Sequence, residues 1–270
     1  MNSLDPDGPT LENASDAIQI LLQHYHDQVV PNFGRLEEPE SQVVQFALLI
    51  RSPPLVEAAL TLAEAGFGRE TMILNRPLFE LMLDACWAVA EAELADEKFL
   101  AHARYTQHLQ REVAGRYPEL GITPGGGPLP PDEVKSGIRD FGRHASSSWT
   151  GLSVKERVQA FEKRLGPSDS DRRQLWFVFD VLHDLNNGEV HPSSWSLGRA
   201  LRRVPVADGA HRLQFRVGPE QEFSAFALSF TWWVFVQLLD LMHDFAGIST
   251  GSLQEAADAG AELLGIAPQA

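Results

Sequence analysis

Cysteine is nearly absent. One residue in 270, Cys86, excludes an internal disulfide and a cysteine-rich zinc site. It sits in an apolar run and reads as an inert buried thiol. Basic charge is also scarce: 22 Lys and Arg face 37 Asp and Glu, for a formal net charge of -15. Such a surface repels phosphate backbones at long range, so broad nucleic-acid affinity is disfavoured. Arg199, Arg202, Arg203, Arg212 and Arg216 cluster in the second half of the sequence. The chain lacks a Gly-Lys-Ser/Thr phosphate loop, a dinucleotide fingerprint and a Gly-x-Ser-x-Gly elbow. Its triple glycine, Gly125-Gly126-Gly127, follows no strand and is flanked by prolines. The first residues carry no basic start and no apolar signal core. Residues 1–12 therefore read as a disordered lead-in to a cytoplasmic protein.

What the chain has is apolar residues, 44% of the total, ample for a core. Helical periodicity dominates. Helices are predicted over about 13–30, ending at Pro31; from 41, broken at Pro53-Pro54; 55–65, ended by Gly66-Phe67-Gly68; and 69–93, with a kink at Pro77 or a start capped by Asn75. Further helices follow over 96–116, 131–141, 153–165 behind a Ser153–Glu156 capping box, and 169–185. The last two cover 219–245 and a segment capped by Ser252 with Glu255. Residues 118–131 read as a flexible Gly/Pro-rich loop. Residues 203–217, with Asp208-Gly209 inside, carry a β-hairpin pattern. The expectation is an all-α, bundle-like single domain over 13–267 with one small β-hairpin insertion. Residues 223–242 are apolar enough to suggest a membrane span. Polar interruptions and the lack of Lys or Arg anchors favour a core helix, so no membrane contact is expected.

The segment 72–90 is apolar nearly all round, as in a helix central to its domain. Arg76, Glu80, Asp84 and Glu91 share about 80° of its arc, together with Trp87. A polar stripe on such a helix is a narrow solvent strip, a buried pairing network or the floor of a cleft. The predicted arrangement is a Glu80–Arg76 pair with His191 beside it. His191 precedes Pro192 and Ser193 at a helix end punctuated by Asn187-Gly188, and histidine suits proton transfer near neutral pH. The histidines show no His-Glu-x-x-His spacing, so no metal and no cofactor is expected. His102, Tyr105 and His108 fall on a polar helix and read as surface. Six tryptophans and 15 phenylalanines are more large apolar surface than a monomer must hide, which points to a homodimer.

The glycine turn leading into Leu74-x-Arg76-x-x-x-Glu80, followed by Trp149-Thr150-Gly151-Leu152-Ser153 and Val190-His191-Pro192-Ser193, resembles a bacterial domain-of-unknown-function family numbered 5677. The resemblance covers about 41–241. It implies an all-helical cytoplasmic protein without an assigned activity, and its pattern falls on Arg76, Glu80, Trp149, His191 and Ser193. The chain departs from it at Pro77, and at Asn187, where serine is expected. The same segment resembles the HEPN group of helical nucleases, toxins and defence proteins. Their arginine before the histidine is missing from 186–190, and a ribonuclease of that kind needs such a cation. The first expectation is thus a non-enzymatic binding or interaction protein of a bacterial stress or defence system, partner unknown. Arg76, Glu80 and His191 are the candidate catalytic residues. Asp84, Trp87, Trp149, Asn187 and Ser193 are its candidate binding residues. The alternative is a HEPN-like metal-independent ribonuclease using Arg76 and His191.

Overall fold

The computed structural model describes residues 8–33, 43–122, 125–143, 148–165, 168–185, 201–205, 211–215 and 221–266. They are overwhelmingly α-helical, as the periodicity predicts. By contact density the chain divides into two compact units. The first draws on the described parts of Met1–Leu36, Leu49–Met82 and Ser168–Ala270; the second on those of Glu37–Leu48 and Leu83–Pro167.

In the first unit, α1 (Leu11–His24) begins two residues before the expected start, because the Thr10 side chain accepts from the Asn13 N–H. The predicted stop at Pro31 does not occur. A π turn, Tyr25–Val29, carries the chain into α2 (Val30–Phe33), with the Val30 N–H bonding five residues back to Tyr25. The wider turn accommodates the proline that an α-helical register would reject.

The break between α3 (Val43–Ile50) and α4 (Ser52–Glu64) falls at Arg51, before the prolines rather than at them. Pro53 and Pro54 occupy the first turn of α4, where a missing N–H leaves no helical bond unmade. Gly66, at φ 85°, then closes α4. The Phe67 N–H reaches back to Leu62 and the Gly66 N–H to Ala63.

Helix α5 (Gly68–Ala90) runs through Pro77, and Asn75 is not its cap. Asn75 is fully buried. It donates to the Ala227 carbonyl at 2.7 Å and accepts from Thr231 Oγ1 at 2.7 Å. Both partners belong to α10 (Gln221–Ala246). A buried amide with both ends bonded ties two apolar helices at one register.

Helix α10 packs on α1, α4 and α11 (Gly251–Leu263). Ala14, Ile18, Leu21, Val56, Leu228, Val234, Phe235, Leu238 and Met242 are among the buried residues of this core. The expected Ser252 cap is corrected. Thr250 precedes α11 without a side-chain cap, and Ser252 lies inside the helix. Two stretches, Val43–Glu64 and Phe223–Ala246, are long and apolar enough to cross a membrane by length and composition; 72% of the second window is buried inside the protein, as in a core helix.

Helix α9 (Asp169–Phe179) ends in a π turn, Asp180–Leu185, rather than continuing regularly to 185. Strands β1 (Leu201–Pro205) and β2 (His211–Phe215) pair antiparallel, with Val204 opposite Arg212. The turn expected at Asp208-Gly209 lies outside the described residues.

In the second unit, α6 (Ala92–Arg116) packs against α7 (Pro131–Phe141). Val134, Gly137, Ile138 and Phe141 form one face of α7 at helical spacing. Gly137 lets α7 close on α6: a Cβ there would stand 2.4 Å from the Tyr105 ring. Within 118–131, Pro118–Leu120 forms a 3-10 turn, and Arg111 donates to the Gly125 and Gly127 carbonyls. Helix α8 (Val154–Arg164) opens on the predicted capping box, with Ser153 and Glu156 bonded reciprocally.

Candidate functional site

The stripe on α5 resolves into two separate pairings. In the first unit, Arg76 Nε donates to Glu80 Oε1 at 3.3 Å, one helical turn away. Their side chains are 24% and 31% exposed, so the pair is partly open to water rather than sealed in a core. His191, Asn187 and Ser193 lie outside the described residues, so their place beside the pair is not seen.

In the second unit, Asp84 is held by three side chains. Arg157 Nη1 donates to its Oδ1 at 2.6 Å. Ser148 Oγ donates to the same oxygen at 3.3 Å, and Trp149 Nε1 to Oδ2 at 2.9 Å. Burial pushes the Asp84 carboxyl up from its ordinary value, against the pull of Arg157 and the two neutral donors. A carboxylate offers about four acceptor positions. Three are in use, so Asp84 is a fastener between α5, the 148–153 segment and α8 rather than an open base.

The same loop is pinned elsewhere. Lys98 Nζ donates to the Thr150 carbonyl at 2.7 Å and stands 5.5 Å from the Trp87 ring centroid. Trp149 meets Trp87 edge-on at 5.4 Å and Phe99 at 5.6 Å. Trp87 and Trp149 are both buried. Two predicted binding residues, Asp84 and Trp149, are therefore brought into direct contact, but as packing and fastening.

Arg157 is missing from the sequence-level candidates. It is 3% exposed. The signal was available: the capping box fixes the start of α8, and Arg157 then falls four residues before Phe161 and three after Val154, on the apolar face. A charge there needs a buried partner.

An open groove on α6 and α7 of the second unit is about 910 Å³ in volume. Leu109, Val113, Tyr117, Leu120, Ile122 and Ile138 contribute its apolar walls. Of these, Val113, Tyr117, Leu120, Ile122 and Ile138 are exposed. The reading of His102, Tyr105 and His108 as surface is corrected here. Tyr105 is 2% exposed and donates to the Arg143 carbonyl at 3.1 Å. Its ring stacks near Phe141, which also meets His102 edge-on at 5.0 Å. Burial lowers the His102 pKa from its ordinary value and raises that of Tyr105. His102 Nε2 and Thr106 Oγ1, on two lining residues, are buried with no hydrogen-bond partner among the described residues. The signal for the groove was the four-residue spacing Tyr105, Leu109, Val113, Tyr117 on an otherwise polar helix.

Among the described residues no three of His, Cys, Asp and Glu converge as metal ligands. No protein-family model, no curated protein and no solved structure matches the chain.

Proposed function

We propose that the chain is a helical binding protein that seats a small, largely apolar ligand in the groove on α6 and α7. The observation that carries this reading is the exposure of five large apolar side chains around one concavity. Contiguous apolar surface on a protein is the ordinary mark of a binding site. A volume of about 910 Å³ is within the range of small-molecule pockets. The polar residues on α5 support the same reading from the other side, because Asp84 and Arg76 are both engaged by neighbours. A cytoplasmic setting belongs to the reading and rests on composition: one cysteine and a net charge of -15.

The test is binding of a neutral apolar dye, Nile red, to the native protein. The expected result is enhanced emission that Ile138→Glu removes while the helical circular dichroism is unchanged. Ile138 is exposed, so the substitution leaves the core intact. Emission that is absent, or unaltered by Ile138→Glu, overturns the reading. The ribonuclease alternative asks Arg76 to bind phosphate, although Glu80 engages it. Cleavage of total RNA in EDTA that His191→Ala abolishes would replace the binding reading with that one.

A further inference from the structure

We infer that the ligand of the α6–α7 groove is a monoanionic amphiphile, an aliphatic or aromatic body carrying one carboxylate. The inference rests on reading the groove as a ligand site and goes on to name the ligand's charge. The walls specify the body. Val113, Tyr117, Leu120, Ile122 and Ile138 offer apolar contact and few polar groups.

The charges at the groove specify the head. Arg116 and Arg143 both line it and are both exposed, and neither makes an ion pair among the described residues. Glu112, the one carboxylate lining the groove, lies 3.6 Å from His108 Nε2. Two guanidiniums against one carboxylate among the lining residues leave the groove net positive, which favours an anion. Their planar forks suit a carboxylate.

The rest of the chain sets a limit on that anion. With a net charge of -15, a multiply charged ligand meets long-range repulsion that two arginines do not offset. A single charge within a Debye length of about 8 Å responds mainly to the arginine nearest it. The size of the groove favours a small ligand over a peptide helix or a second copy of the chain.

The test is titration calorimetry on the full chain with decanoate, decanol and decyltrimethylammonium, each below its micelle concentration. Decanoate is expected to bind, decanol more weakly and the cation least. The double variant Arg116→Glu, Arg143→Glu is expected to weaken decanoate about tenfold and decanol less than about twofold. Ile138→Glu is expected to abolish both.

If decanol binds as well as decanoate and the arginine variant changes neither, the anionic head is wrong while the ligand groove stands. If none of the three probes binds, both readings fall. Sedimentation without ligand reads the competing occupant: a dimer that Ile138→Glu dissociates would give the groove to a second copy and overturn the small-ligand inference.

Discussion

His24 and His243 face each other across the α1–α10 packing, with their Nε2 atoms 2.9 Å apart and their rings stacked at 5.0 Å. Both are buried. The tautomers follow from a third atom. His243 Nδ1 stands 3.0 Å from the Ser249 carbonyl, which can only accept, so neutral His243 carries its proton on Nδ1. His24 Nε2–H then donates to the bare His243 Nε2. Gly247, at φ 64°, makes this possible by turning the chain so that Ser249 returns over His243.

Two protonated rings cannot share that contact, because each would point an N–H at the other. Burial and the neighbouring His243 lower the His24 pKa, while Asp27 opposes them more weakly. A lowered folded-state value means that the unfolded chain binds the proton more readily. Stability from this group is therefore present above the unfolded value of about 6.5 and is lost as pH falls through the folded value. The urea midpoint is expected to hold steady from pH 8 to 7 and to decline below about 6.5. His24→Gln should flatten part of that decline. A wild-type midpoint independent of pH between 7 and 5.5 would contradict the pairing.

Gly68 opens α5 where the start of α10 passes. A Cβ at Gly68 would stand 2.6 Å from the Ser224 nitrogen and 2.7 Å from the Phe223 carbonyl carbon, and backbone atoms cannot swing aside. Gly68→Ala is expected to destabilise by about 1–3 kcal/mol. Gly115→Ala is the control. Its Cβ would meet nothing within 4 Å, in the last turn of α6, and a gain of up to about 1 kcal/mol is expected. The same substitution thus has opposite signs at two positions. Chemical denaturation of both variants checks it, and a neutral Gly68→Ala would mean that the two backbones separate in solution.

Arg157 and Asp84 provide the third prediction. Arg157→Met leaves the largely buried Asp84 carboxylate with only its two neutral hydrogen-bond donors among the contacts described above, a loss of about 3 kcal/mol. Replacing both, Asp84→Leu with Arg157→Met, is expected to cost less than the single change, because no charge is then left in the interior. Trp149 fluorescence is expected to red-shift in the Arg157 variant as the loop loosens. If the double variant is the worse of the two, the pair contributes stability of its own rather than merely cancelling its burial.

Most of this architecture was legible where signals are local. The Ser153–Glu156 box gave the start of α8, and Gly66-Phe67-Gly68 gave the end of α4. Most of the failures share one cause: a residue's role depended on something distant in sequence. Asn75 looks like a cap until Ala227 and Thr231 are known to be its partners. Arg157 could be placed on the apolar face of α8 from the capping box, but its partner Asp84, 73 residues away, could not. Pro31 stops a helix unless a π turn precedes it, and the turn leaves no composition mark. Tyr105 shares an apolar stripe with Leu109, Val113 and Tyr117, but its burial depends on α7, whose Gly137 closes on its ring. Of the stripe, the Arg76–Glu80 contact was legible from spacing alone, but its degree of burial was not.

That burial decides the last prediction. Had Glu80 been sealed in the core, removing it alone would cost more than replacing the whole pair, because an uncompensated guanidinium would remain inside. The side chains are instead 24% and 31% exposed, and the 3.3 Å contact is a one-turn pair that water can screen. Pairs of this kind contribute about 0.2–1 kcal/mol. Loss of this pair in Glu80→Ala is therefore expected to cost no more than about 1 kcal/mol. The Arg76→Met, Glu80→Leu double variant should fall within about 0.5 kcal/mol of it. Raising salt from 0.05 to 1 M should shrink the wild-type advantage, since ions reach a partly open pair. The chemical consequence follows from the same geometry. Glu80 competes for Arg76 with any incoming anion, so Glu80→Gln should strengthen the binding of a phosphate probe at Arg76 if that side chain serves a ligand. Unchanged phosphate binding in Glu80→Gln, together with a loss above 3 kcal/mol in Glu80→Ala, would place the pair in the interior and rule out an exchange role for Arg76.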